Sequence, residues 1–167
     1  YGDHRDLHRV DRRQRQMCIR DRALVHGHWP KRLVHLRKPL LKKNMGNDNH
    51  HVVVDAQQGK PAHTEVLSRH TGFIAEQPVS LLLLALHTGR THQIRVHCQS
   101  YGHALVGDEK YGSRTLDHKL IRPRPSLMLH AWRLVIEHPV SEEPLDFTAP
   151  LPEEMKALIK QSGIKTS

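Results

Sequence analysis

Residues 81–112, LLLLALHTGRTHQIRVHCQSYGHALVGDEKYG, constrain this chain more than any other stretch. They open on an apolar run as long as a buried strand, turn at Thr88, Gly89 and Arg90, and then change period. Ile94, His97 or Cys98, and Tyr101 recur at i, i+3/i+4 and i+7, the spacing of one helix face. Thr91 is placed to cap that helix and Gly102 to end it. A strand, a tight turn and a helix carrying Arg90, His92, Gln93, Arg95 and His97 crowd polar groups at one strand end. Such an arrangement suits a binding or catalytic site.

The rest of the chain surrounds this unit with short strands. Ala23, Leu24 and Val25 begin a strand that Gly27 and Pro30 end, and residues 34–41 hold a second run broken by Pro39. Residues 44–51, NMGNDNHH, read as a loop, Val52, Val53 and Val54 as a strand, and residues 57–61 as a turn. Residues 64–68 alternate as a strand does, residues 80–87 form the most apolar strand, and no helix intervenes before Thr91. Short turns between successive strands favour antiparallel pairing. Beyond Gly112, residues 113–126 contain Pro123, Pro125 and several charges and read as a surface loop. Strands follow at 127–136 and 145–149, and Pro152 opens a helix over 153–161 whose acids lead and whose lysines trail, as the helix dipole favours.

A chain of 167 residues can bury a real core as one domain. Its 26 Lys and Arg against 17 Asp and Glu give +9, a surface suited to a polyanion, since each neutralised phosphate releases counterions. No apolar run approaches the ~20 residues of a membrane span, and no signal-peptide pattern is present, so no membrane partner and a cytoplasmic location are expected. Cys18 and Cys98 make no disulfide framework. His92 and His97, five apart, and the adjacent His50 and His51 lack the spacing of metal ligands, so no metal is expected.

Residues 1–22 stand apart as an irregular basic arm, with 23–167 as the folded unit. Within the arm, RQRQMCIRDR at 13–22 resembles translated sequencing-adapter sequence and on that reading does not belong to the natural protein. Leaving out residues 12–22 removes five Arg and one Asp and takes +9 to +5, so the remainder is still basic.

The segments TGRTHQIRVH at 88–97 and GDEKYG at 107–112 resemble the third motif of the RluA-type pseudouridine synthases. The likeness extends through LVHG at 24–27, GKPAHT at 59–64, Leu129-His130-Ala131, His138-Pro139 and APLP at 149–152. It implies an α+β fold with a largely antiparallel mixed sheet flanked by helices, here a partial catalytic domain incomplete at its N-terminus. It implies a pseudouridine synthase acting on uridine in structured RNA, most closely like those that modify large-subunit (23S-type) ribosomal RNA, working as a monomer without a metal or organic cofactor. In the implied mechanism an aspartate attacks or stabilises the ribose while the uracil is detached, turned and rejoined through carbon. Asp11, in LHRVD at 7–11, resembles the position of that aspartate, and Arg95 matches the arginine that pairs with it. Arg90, His92 and Gln93 are the implied RNA contacts. The resemblance breaks after Asp11, where Gln14, Arg15 and Gln16 replace the family's TSG, and Asp21 stands at the place of a tyrosine. An RNA-binding remnant without catalysis is therefore the alternative.

Overall fold

The computed structural model describes residues 18–47 and 49–166. Eight strands and three helices follow in chain order: β1 (Cys18–His26), β2 (His35–Leu36), β3 (Leu40–Asn44), β4 (His50–Val54), β5 (Thr64–Ile74), β6 (Gln77–Leu86), α1 (Gln93–Ser100), α2 (Arg114–Leu120), β7 (Leu129–Glu137), β8 (Pro144–Thr148) and α3 (Glu153–Gln161). Six strands form one sheet in the order β2-β5-β6-β1-β7-β8, and β3 and β4 form a separate hairpin. Every ladder among the described strands is antiparallel. This is the α+β architecture that the runs of short strands predict.

The sheet has an inside on both faces because β6 is apolar at nearly every position, the pattern of a strand covered twice. One face carries Ala23, Val25, Leu82 and Leu84 against Ile94 and Cys98 of α1, with Trp29 and Leu36 closing the side. The other carries Leu24, Val79 and Leu81 against Met155, Leu158 and Ile159 of α3. Each fully buried leucine contributes about 2 kcal/mol. A third cluster, Leu40, Val52, Ala62, Val96 and Tyr111, seats the β3–β4 hairpin on α1 and the loop after it.

Several boundaries differ from the sequence reading. β1 starts at Cys18, not Ala23, because residues from Arg20 onward pair with β6 and residues from Cys18 onward with β7. Residues 18–22 thus belong to the sheet and not to an irregular arm. β5 runs on to Ile74, where Ala75 and Glu76 take positive φ and turn the chain directly into β6. Thr91 does not cap α1; His92 does, with φ 52 and no side-chain capping bond, while Gly102 at φ 85 ends the helix as expected. Finally, the expected loop at 113–126 contains α2, capped by Ser113, whose hydroxyl accepts the N–H of Leu116. Among the described residues no helix is long and apolar enough to cross a membrane.

Candidate active site

Arg95 points from α1 towards the loop that follows it. Its Nε donates to Asp108 Oδ2 at 2.9 Å and its Nη2 to Asp108 Oδ1 at 2.8 Å, a two-pronged pair that only a planar guanidinium can make. Asp108 is 1% exposed. Burial alone would raise its pKa, but the bonds from Arg95 and from the backbone N–H of Tyr111 and Lys110, with the arginine's charge, hold it below the ordinary carboxylate value. The same bond pushes the Arg95 pKa up. Both groups are therefore charged at neutral pH, and the side chain of Arg95 keeps 17% of its surface open. Its Nη1 has no hydrogen-bond partner among the described residues, which leaves one edge of the guanidinium for a second anion.

Tyr111 lies beneath this pair. The Arg95 guanidinium sits 5.0 Å from the centre of its ring. Its hydroxyl accepts the N–H of Val52 at 3.0 Å and lies 2.8 Å from His92 Nδ1, so it ties β4 to the start of α1. Desolvation, then the charges of Arg95 and Lys110, lower the His92 pKa, and the ring is neutral at pH 7. A neutral ring can accept the tyrosine proton.

The Thr88-Gly89-Arg90 turn is braced by Gln93. Its Oε1 accepts from the Thr88 hydroxyl at 2.7 Å and from Arg90 N–H at 3.0 Å, and its Nε2 donates to His63 O and to Thr64 Oγ1. With 3% exposure and its amide fully engaged, Gln93 positions the turn and does not face outward. His97 is likewise a tie, held between Thr64 Oγ1 and Lys38 O. Arg90 is exposed, its side chain fastened among the described residues only by Nε to Pro61 O, and borders a cleft of about 310 Å³ whose rim includes Lys42, Lys60, Gly89 and Thr91. Its polar rim carries three cations.

The structure thus gathers Arg95, His92, Gln93 and Arg90 at one strand end. Asp11 lies outside the described residues. Spacing alone did not identify Asp108 as the partner of Arg95, nor the second layer behind it, although the GD of GDEKYG was the signal for the first. That layer consists of Asp117, fully buried, which accepts Arg124 Nε at 2.7 Å and the N–H of Gly107 at 3.0 Å and lies 2.7 Å from His26 Nε2. Arg124 also donates to the carbonyl of Asp108. Two buried ion pairs therefore hold the Gly107–Asp108 backbone from both sides. Among the described residues no three His, Cys, Asp or Glu converge as metal ligands would.

Residues 18–100 match the family of RNA pseudouridylate synthases. The chain is 37% identical over 142 residues to the ribosomal large subunit pseudouridine synthase C of Pasteurella multocida, covering 82% of this chain and 41% of that protein. It is 38% identical over 145 residues to synthase D of Zymomonas mobilis, covering 84% and 44%. It spans about two fifths of the length of these curated relatives. Among solved structures, the human RNA pseudouridylate synthase domain containing 1 superposes with a TM-score of 0.70 at 30% identity, covering 90% of this chain and 62% of that one. Human domain containing 4 shares the fold at a TM-score of 0.67 and 22% identity. The family match spans β1 to β6 and the helix that carries Arg95, and with the relatives' names it settles kinship: the chain belongs to the RluA-type pseudouridine synthase family.

Proposed function

We propose that this chain carries the arginine half of a pseudouridine synthase site acting on uridine in structured RNA, specifically large-subunit ribosomal RNA. One observation carries the reading: Arg95 is anchored on buried Asp108 by two N–H groups and keeps a third edge free, while Arg90 of the same decapeptide borders a cleft with Lys42 and Lys60. An arginine held this way stays protonated and can keep a second carboxylate ionised where water is excluded. Asp11 is the residue assigned to that carboxylate. The reaction breaks the bond from ribose C1′ to uracil N1, forms one to C5, and releases the C5 hydrogen to solvent as a proton while N1 takes up a proton from solvent, so it is an isomerisation that needs no co-reactant. Arg90 and the lysines of the cleft take the flanking phosphates, which offsets the few kcal/mol needed to extrude the base. Gln93 fixes the turn that presents Arg90.

The test is tritium release from 5-tritiated uridine in a large-subunit rRNA transcript. Release that Arg95→Ala abolishes while RNA affinity stays within about twofold supports the assignment. RNA binding without any release from the unmodified chain would favour the binding-only reading, for which the replaced TSG and the aspartate at position 21 give the motive.

A further inference from the structure

The register of three strands assembles a row of imidazoles at the sheet end that precedes the Thr88-Gly89-Arg90 turn. His35 lies opposite Glu65 across β2 and β5, and Glu65 lies opposite Ala85 across β5 and β6. The ladder continues one step further, with His87 N–H donating to His63 O. Residues two apart on a strand share a face. His35, Arg37, His63, Glu65 and His87 therefore come to one side, while Leu36, Thr64 and Leu84 turn to the side that α1 covers.

The rings are in contact. His35 Nδ1 is 3.1 Å from His63 Nε2, and the rings of His63 and His87 stack with centroids 4.2 Å apart and planes 11° from parallel. His87 Nε2 lies 2.7 Å from Glu65 Oε2, and the His87 side chain remains 47% exposed. No step of the proposed reaction uses this row. A stacked pair with one open ring is the kind of platform on which unpaired bases settle, and histidine is among the side chains that serve this way in RNA recognition.

We propose that the row is a docking subsite for an unpaired nucleotide of the RNA, its base stacking on His87 over His63 and its phosphate meeting Arg37 and the imidazole N–H groups. The subsite rests on the reading that RNA is the partner. The charged groups around the row are Arg37 after β2, Glu65 on β5, His87 after β6, and Arg20 of β1, which lies opposite Ala85. Partial burial first, then the charges of His87, Arg37 and His35, lower the His63 pKa, so in the free chain its ring is neutral at pH 7. A bound phosphate favours the protonated ring, so binding takes up a proton. Affinity therefore rises as the pH falls.

Fluorescence anisotropy of the full chain with a labelled single-stranded oligouridylate, at pH 7.5 and 5.5 and one ionic strength, tests this. His87→Ala is expected to weaken binding roughly tenfold at pH 5.5, within the range of one lost base stack, and to reduce the pH response. His87→Phe keeps the pH 7.5 affinity, because a ring remains, but loses part of the gain at pH 5.5. Arg90→Ala weakens binding at both pH values and leaves their ratio unchanged. If His63→Ala and His87→Ala, each folded by circular dichroism, match the parent at both pH values, the subsite is overturned while the RNA reading stands. If the parent chain binds no oligouridylate at either pH, both fall.

Discussion

Asp117 and Arg124 stand seven residues apart in the chain and form a buried ion pair, Nε to Oδ2 at 2.7 Å, with the carboxylate wholly enclosed. The pair matters to the candidate site because Arg124 also holds the carbonyl of Asp108, while Asp117 holds the N–H of Gly107. Removing one partner of a buried pair strands the other, at about 3–5 kcal/mol. Domains of this size are stable by only ~5–15 kcal/mol. Asp117→Ala is therefore expected to lose at least about 3 kcal/mol in urea unfolding, with Arg124→Ala close behind. The double variant should cost clearly less than the sum of the two. Additive losses would mean that the two side chains do not act together.

The Arg95–Asp108 pair predicts how the fold responds to acid. The folded pKa of Asp108 lies below its ordinary 3.8, so the pair's stabilisation is fully present above that value and is lost as the pH falls through the folded pKa. Asp108→Asn should remove this acid-sensitive component. Urea midpoints of the parent and the variant should differ by a constant amount from pH 7 to 5 and converge below about pH 3.8. A gap that stays constant down to pH 2.5 would place the pair's contribution outside the linkage.

Gly107 tests the backbone path into the same loop. Its φ is +77, and a Cβ there would sit 2.0 Å from the carbonyl oxygen of Ser126. A side chain meets both a disfavoured backbone region and a fixed peptide atom, so the loop or the segment at 126 must move. Gly107→Ala is expected to cost about 2 kcal/mol or more, whereas Gly102→Ala, with a positive φ but open space, should cost about 1 kcal/mol. Equal losses at the two sites would remove the close contact as the cause.

Sequence patterns made some of this molecule legible and hid the rest for identifiable reasons. The apolar run in β6, the helix face of Ile94 and Cys98, and the acid-led α3 are local signals, and each forms the element it predicts. Arg90, His92, Gln93 and Arg95 could be gathered from one decapeptide because a strand, turn and helix bring neighbours in sequence together. Which of them face outward could not be read there: Gln93 is drawn inward by four bonds, three of them to Thr88, His63 and Thr64 on the adjoining segments. α2 escaped notice because seven residues followed closely by Pro123 and Pro125 carry too few turns for a period to show. The imidazole row is spread over positions 35, 63 and 87, and only the strand register joins them.

Asp21 gives the last prediction. It occupies the inward face of β1, opposite Leu84 on one side and Ala131 on the other, at the position where the family resemblance calls for tyrosine. It is 6% exposed, and desolvation raises its pKa to about 6 despite the opposing charge of His130. A folded pKa above the unfolded 3.8 means that its contribution is most favourable below pH 3.8 and is progressively lost as the pH rises to about 6. At pH 7.5 the buried charge costs roughly 3 kcal/mol, about two pKa units at 1.36 kcal/mol each. Asp21→Asn should therefore stabilise the chain by up to that amount at pH 7.5 and by nothing near pH 3.5. Urea unfolding at the two pH values is decisive: an Asp21→Asn variant no more stable than the parent at pH 7.5 would mean that the carboxylate is hydrated and that the strand tolerates its charge.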